Sequence, residues 1–178
     1  MILIIILIPL AILSIILAYF FLIPFFFGAP YEPSRGKALR SIIEFTAPKS
    51  GDKIAELGSG DGRICIALAK KLSKNSKIEI NGFEINPFLV WISRRIIKKL
   101  GLQNKIKIYW KNFFKEDLSK YNKIVMFQFN TITNRLSKKF KRELKPGSII
   151  VSHWWKLPGW RIKKRIGRVY LYENSGFD

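Results

Sequence analysis

The sequence predicts an α/β fold, a parallel sheet with helices on both faces, behind one apolar segment long enough to cross a membrane. Three observations carry this. The first 27 residues hold no charge, strand-like and helix-like patterns alternate from residue 35 onward, and a glycine-rich loop joins the first strand to the next helix. A chain of 178 residues has room for one domain of ordinary size. With 48% hydrophobic residues it is not a disordered chain. The lone Cys65 excludes an internal disulfide framework, and one histidine with one cysteine excludes a His/Cys zinc site, so no metal is expected.

Charge divides the chain. Residues 1–34 contain Glu32 and no Lys or Arg, so all 32 basic residues fall in 35–178 against 11 acids, a formal +21. Met1 to Phe27 is expected to be an uncleaved transmembrane anchor. As a helix it reaches roughly 40 Å at ~1.5 Å per residue, against a hydrocarbon core of ~30 Å. Pro9 permits a kink and Pro24 marks the far end. A secretory signal would start with basic residues and end at a small-residue cleavage site, and neither is present. Arg35, Lys37 and Arg40 follow the span and nothing basic precedes it, which places the amino terminus outside and the domain in the cytoplasm.

Residues 28–34 form a connector, Gly28-Ala29-Pro30-Tyr31-Glu32-Pro33-Ser34, and residues 35–178 the domain. Arg35 to Ala47 has helical spacing of apolar residues, and Pro48 to Gly51 is a turn. Lys53–Leu57 is a strand, Gly58–Gly62 the loop, Ile64–Leu72 a helix, and Ile78–Phe83 a second strand. Asn86-Pro87 caps a helix that Gly101 ends. Lys105–Trp110 and Lys123–Phe129 are strands, Thr133–Leu144 a helix, and Ser148–His153 a strand. Ile162–Ile166 and Arg168–Tyr172 are two final strands around Gly167.

The chemistry concentrates at Ala55-Glu56-Leu57-Gly58-Ser59-Gly60-Asp61-Gly62-Arg63. Glycines there allow positive φ and close approach of a ligand to the backbone. The next strand ends in Gly82-Phe83-Glu84, which brings a second acid to the carboxyl edge of the sheet beside the loop. A dinucleotide-binding loop needs G-x-G-x-x-G and amides around a pyrophosphate. The spacing of Gly58, Gly60 and Gly62 differs, and the acid Glu56 before them suits a ligand with an ammonium and no phosphate. A purely structural glycine turn is the plain alternative.

This stretch resembles the first motif of class I S-adenosylmethionine-dependent methyltransferases, whose fold is a Rossmann-like sheet. The resemblance implies that Glu56, Gly58, Ser59, Gly60, Asp61 and Gly62 hold the methionine end of the cofactor and Glu84 the ribose hydroxyls, with Asn86 nearby. In this family an acid after the third strand recognises the adenine amino group. Asn112 stands there, with an amide oxygen able to accept the same bond, and Phe113 is placed to pack on the ring. Asn112 as a simple turn residue is the alternative. The fourth strand ends Phe127-Gln128-Phe129-Asn130-Thr131, beside the position of the transferred methyl, without the Asp/Asn-Pro-Pro-aromatic run common in base-methylating enzymes.

Pro30-Tyr31-Glu32-Pro33-Ser34, the glycine motif and Glu84-Ile85-Asn86-Pro87-Phe88-Leu89-Val90-Trp91 together resemble the membrane-associated protein-lysine methyltransferases of the ATP synthase c-subunit and adenine nucleotide translocase type. That similarity makes Tyr31, Pro33 and Ser34 site candidates, alongside plainer roles for Ser34 as a helix cap and Tyr31 as an interfacial aromatic. Tyr31 and Gln128 are the candidates for orienting the acceptor amine, and no residue stands out as a general base. His153-Trp154-Trp155 suits either substrate entry or simple packing. The expected substrate is a lysine of a membrane-embedded protein, and the basic surface suits anionic lipid. Two alternatives stay open: an RNA-directed methyltransferase, since a basic domain also binds phosphates, and a non-catalytic scaffold.

Overall fold

Residues 7–12, 14–15, 36–73 and 75–176 are described by the computed structural model. Helix α1 (Gly36–Thr46) precedes β1 (Lys53–Leu57), α2 (Arg63–Lys70), β2 (Glu79–Glu84), α3 (Pro87–Lys99) and β3 (Ile106–Trp110). A 3-10 turn (Phe113–Lys115) then leads to β4 (Lys123–Met126), α4 (Asn130–Glu143), β5 (Ile149–His153), β6 (Lys164–Ile166) and β7 (Val169–Glu173). The seven strands form one sheet in the order β3-β2-β1-β4-β5-β7-β6. Strands β1 to β5 are parallel, with Leu57 level with Phe83 on one side and Met126 on the other. β1 and β4 are almost wholly buried, as central strands covered on both faces must be.

The expected parallel sheet is found in β1 to β5, and the two final strands join it in the opposite direction. β7 runs antiparallel to β5, and β6 antiparallel to β7. Only Gly167 and Arg168 separate β6 from β7, far too few residues for a parallel crossover, and Gly167 takes the positive φ of a tight hairpin. Helices do cover both faces. Ile42 and Phe45 of α1, Leu68 of α2, and Val90 and Ile97 of α3 pack in one apolar cluster. Leu136 and Phe140 of α4 pack in the other, with Trp160 and Tyr172.

Local chemistry sets the helix ends. Asn86 Oδ1 accepts from the amides of Phe88 and Leu89, with Pro87 at the first helical position of α3. β4 stops at Met126 rather than Phe129, and α4 begins at Asn130 rather than Thr133. Residues 127–129 leave the sheet, and the Thr133 hydroxyl closes the first turn of α4 on the Asn130 carbonyl. At the amino edge, Lys123 Nζ donates to Asp52 Oδ2 at 2.7 Å and to the Ala47 carbonyl at 2.8 Å. Asp52 also accepts from the Lys49 amide and from Asn122 Nδ2. This nearly buried ion pair fastens the end of α1 to the starts of β1 and β4.

Residues 7–12 and 14–15 are helical with exposed side chains. Among the described residues no helix is long and apolar enough to cross a membrane. Most of the expected span, and the connector with Tyr31, Pro33 and Ser34, lie outside the described residues.

Removing the cation while keeping the stem should leave Asp52 buried without a countercharge. Lys123→Met is expected to cost about 3 kcal/mol, read as a lower urea midpoint at unchanged slope. An unchanged midpoint would show that the pair does not fasten these elements.

Candidate active site

Parallel pairing of β1 with β2 brings their ends together at the carboxyl edge, and with them Glu56 and Glu84. The loop between β1 and α2 turns back through positive φ at Gly58, Gly60 and Gly62. A Cβ on Gly58 would sit 2.2 Å from Gln128 Nε2, and one on Gly82 would meet Ser59 Cβ at 2.7 Å. Side chains are excluded at both positions because the loop presses against β2 and the end of β4.

Four of the loop's amides are committed to the protein's own acceptors. Gly58 and Ser59 both donate to the Phe83 carbonyl, Gly62 donates to the Ser59 carbonyl, and Gly60 donates to Glu84 Oε2 at 2.8 Å. A pyrophosphate needs such donors free and unopposed, and here they are spent beside two carboxylates. The dinucleotide reading therefore fits this loop poorly. Asp61 is tied to Arg63, accepting from Nε at 2.9 Å and Nη2 at 2.6 Å, which balances the charge on the loop's outer side.

Glu56 is buried beneath the loop, where its Oε2 accepts from the Cys65 amide at 3.1 Å and from Cys65 Sγ at 2.8 Å. Burial pushes its pKa up to about 8, against the lowering effect of the two Cys65 bonds. Burial likewise raises the Cys65 thiol. Glu84 accepts from the Ile85 and Asn86 amides as well as from Gly60, yet burial still raises its pKa.

Two buried polar atoms beside the loop have no partner, Ser59 Oγ and Gln128 Oε1. Orphaned acceptors and buried carboxylates around a bend without side chains suit a ligand with an ammonium group and hydroxyls, so the residues present fit S-adenosylmethionine. Glu56 and Ser59 would hold its aminoacyl end and Glu84 its ribose.

Other expected site residues have structural duties. Asn86 Oδ1 is spent on capping α3, and Asn112 Oδ1 accepts from the Phe114 amide to cap the 3-10 turn. Phe113 is buried among core residues, with its ring 4.8 Å from that of Phe114. Gln128 is buried under Gly58, donating to the Leu57 carbonyl at 2.6 Å, and so ties the end of β4 to the end of β1.

On the other side of β4 an aromatic wall follows. The rings of Phe127 and His153 are 4.7 Å apart, Trp154 lies 6.3 Å from Phe127, and the Arg168 guanidinium covers Trp154 at 4.1 Å. Trp154 adopts φ 78°, a left-handed conformation rare for a bulky residue. The pairing of Cys65 with Glu56 had no signal in the sequence, because nine residues separate them and only the closed loop joins them.

Comparison with known proteins matches residues 56–164 to the ANTKMT methyltransferase domain. A protein-lysine N-methyltransferase of Saccharolobus islandicus (strain REY15A) is 34% identical over 80% of this chain and 92% of its own length. The Homo sapiens lysine N-methyltransferase named for the ATP synthase c-subunit is 30% identical over 83% of this chain, which spans 63% of that relative. Among solved structures, a Salinibacter ruber RNA methyltransferase bound to S-adenosyl-L-homocysteine superposes with a TM-score of 0.73 at 24% identity, covering 80% of this chain and 94% of that one. At that identity the likeness establishes the fold.

Glu56 makes stability fall as pH rises. Between its ordinary value of 4.5 and its folded value of about 8, the unfolded chain has lost this proton while the folded chain keeps it. Crossing that window should cost on the order of a few kcal/mol in the cofactor-free protein. Glu56→Gln keeps an acceptor for the Cys65 amide and should flatten most of the decline in urea midpoint. Equal slopes for the two proteins would show that Glu56 is ionised when buried.

Proposed function

Because the chain belongs to the ANTKMT methyltransferase-domain family and is an S-adenosylmethionine-dependent methyltransferase, we propose that it methylates the side-chain amine of lysine in a membrane protein. We propose further that residues 1–27 anchor it as a single-pass protein with its amino terminus outside and its domain in the cytoplasm. The observation that most favours lysine is the similarity to the Saccharolobus enzyme, which covers nearly all of that relative and is named for this reaction. The relative named for the ATP synthase c-subunit supports a membrane-embedded acceptor.

When bound, the cofactor supplies a methyl activated on cationic sulfur, which keeps the C–S bonding pair as the methyl passes to nitrogen. The protein's task is then alignment, with the reacting atoms roughly 3–3.5 Å apart, and delivery of a neutral amine. Free lysine has a pKa of ~10.4, and removal from water lowers it. The wall of Phe127, His153 and Trp154 stands at the carboxyl edge one strand beyond the glycine loop. It offers the acceptor stem an apolar lining that keeps water from its nitrogen. The amine's proton passes to water, since no carboxylate lies in this wall. Gln128 acts as a positioning residue: its Nε2 holds the loop to β4, and its unpartnered Oε1 is an acceptor for an N–H at the site. Tyr31 is the second proposed residue for orienting the amine.

The test is transfer of labelled methyl from S-adenosylmethionine into membranes of cells lacking the protein. Label in a protease-sensitive band, recovered as methylated lysine, is expected. Gly58→Ala, which drives a Cβ into Gln128, should abolish it. Label removed by nuclease would move the acceptor to RNA, and no label despite intact cofactor binding would indicate a scaffold.

A further inference from the structure

α3 buries Val90, Ser93 and Ile97 against the sheet, and its outer face is unusually aromatic. Phe88 and Trp91 are 56% and 49% exposed, with rings stacked 6.0 Å apart, and Trp110 on the edge strand β3 is 63% exposed. Basic groups surround them. The Arg95 guanidinium lies 4.2 Å from the centre of the Trp91 ring. Arg94 donates through Nε and Nη2 to the Ile108 carbonyl, capping the open edge of β3 and fixing its own charge there. With Lys98, Trp91 and Trp110 these arginines line a groove of about 310 Å³ that has no acidic residue in its wall. Among the described residues none of the three cations has a carboxylate within ion-pair distance. Exposed indole rings interleaved with unpaired cations match the interface of an anionic bilayer, where rings sit at headgroup level and cations meet phosphate.

The chain outside this domain favours lipid over another polyanion. The 27 uncharged residues at the start are followed by eight residues before Gly36. Those eight reach about 28 Å at most when extended. A domain of this size has a radius of gyration of roughly 14–15 Å, so a bilayer holding the first segment must lie within one domain diameter. α1 ends at the amino edge, where the Ala47 carbonyl accepts from Lys123 and residues 47–52 lead into β1. α1 and α3 share one apolar cluster and hence one face of the sheet, α1 packed over β5 and β7 and α3 over β2 and β3, with the start of α3 at the carboxyl edge.

We infer that the outer face of α3, with Trp110, is a docking surface for anionic phospholipid headgroups. Phe88, Trp91 and Trp110 enter the headgroup layer, while Arg94, Arg95 and Lys98 pair with phosphates. This rests on the anchoring proposed above. Docking would hold the Glu84 end of the site beside the bilayer, within reach of a lysine near a membrane surface.

The full chain should be reconstituted into vesicles of phosphatidylcholine alone or with phosphatidylglycerol, each carrying acyl chains brominated near the headgroup. Flotation with both compositions tests the anchor, and failure to float overturns the anchor and this inference together. With the anchor intact, tryptophan fluorescence is expected to be quenched more strongly in the phosphatidylglycerol vesicles. The double variant W91F/W110F should lose most of the quenching, and R95Q/K98Q should lose the increment due to the anionic lipid. Quenching that persists in W91F/W110F would place another tryptophan at the bilayer and overturn the inference while leaving the anchor standing. RNA binding that these variants abolish, with no lipid quenching in the parent, would assign the face to nucleic acid and overturn it as well.

Discussion

Two buried carboxylates organise this domain. Glu84 grips the Gly60 amide and Glu56 grips the amide and thiol of Cys65, so both acids pin the bend that links β1 to α2. Each would be better solvated in water, and their raised pKa values express that cost. Parallel pairing of β1 and β2 leaves no other arrangement, because it brings both strand ends to one edge. The glycines follow from it: the bend lies so close to β2 and Gln128 that a Cβ at position 58 or 82 has no room. A site of this kind selects a ligand carrying positive charge and hydroxyls, and it disfavours phosphate.

The remaining parts of the proposed site divide by strand. β1 and β2 carry the two buried acids, while the ends of β4 and β5 carry the aromatic wall proposed for the acceptor. Gln128 is the hinge between these halves, since its amide nitrogen holds Leu57 while the next residue back, Phe127, packs on His153. Methyl transfer needs this separation. One side must favour a cation, and the other must strip water from an amine without presenting a carboxylate that would keep it protonated.

Much of this was legible in the residues. The strand before the loop, the Asn86-Pro87 helix start and the second acid at Glu84 follow from local patterns, and local bonds in the structure produce them. Long-range bonding was not legible. Lys123 and Asp52 are 71 residues apart and pair across the amino edge. Nothing local announces that Phe113 turns into the core or that Asn112 spends its oxygen on a 3-10 cap. The reversal of β7 against β5 is equally silent, because hydrophobic alternation reports a strand's faces and not its direction. Local pattern is also silent on the rings of Phe88, Trp91 and Trp110, which face outward.

Calorimetric titration of the full chain, solubilised in detergent, with S-adenosylmethionine and separately with NADH distinguishes a sulfonium nucleoside from a dinucleotide as the ligand of the glycine loop. Saturable binding of S-adenosylmethionine at one site per chain, lost in Glu84→Ala, is the predicted result. Absence of heat with S-adenosylmethionine alongside tight uptake of NADH would contradict this, and would show that the two carboxylates and the glycine loop hold a dinucleotide.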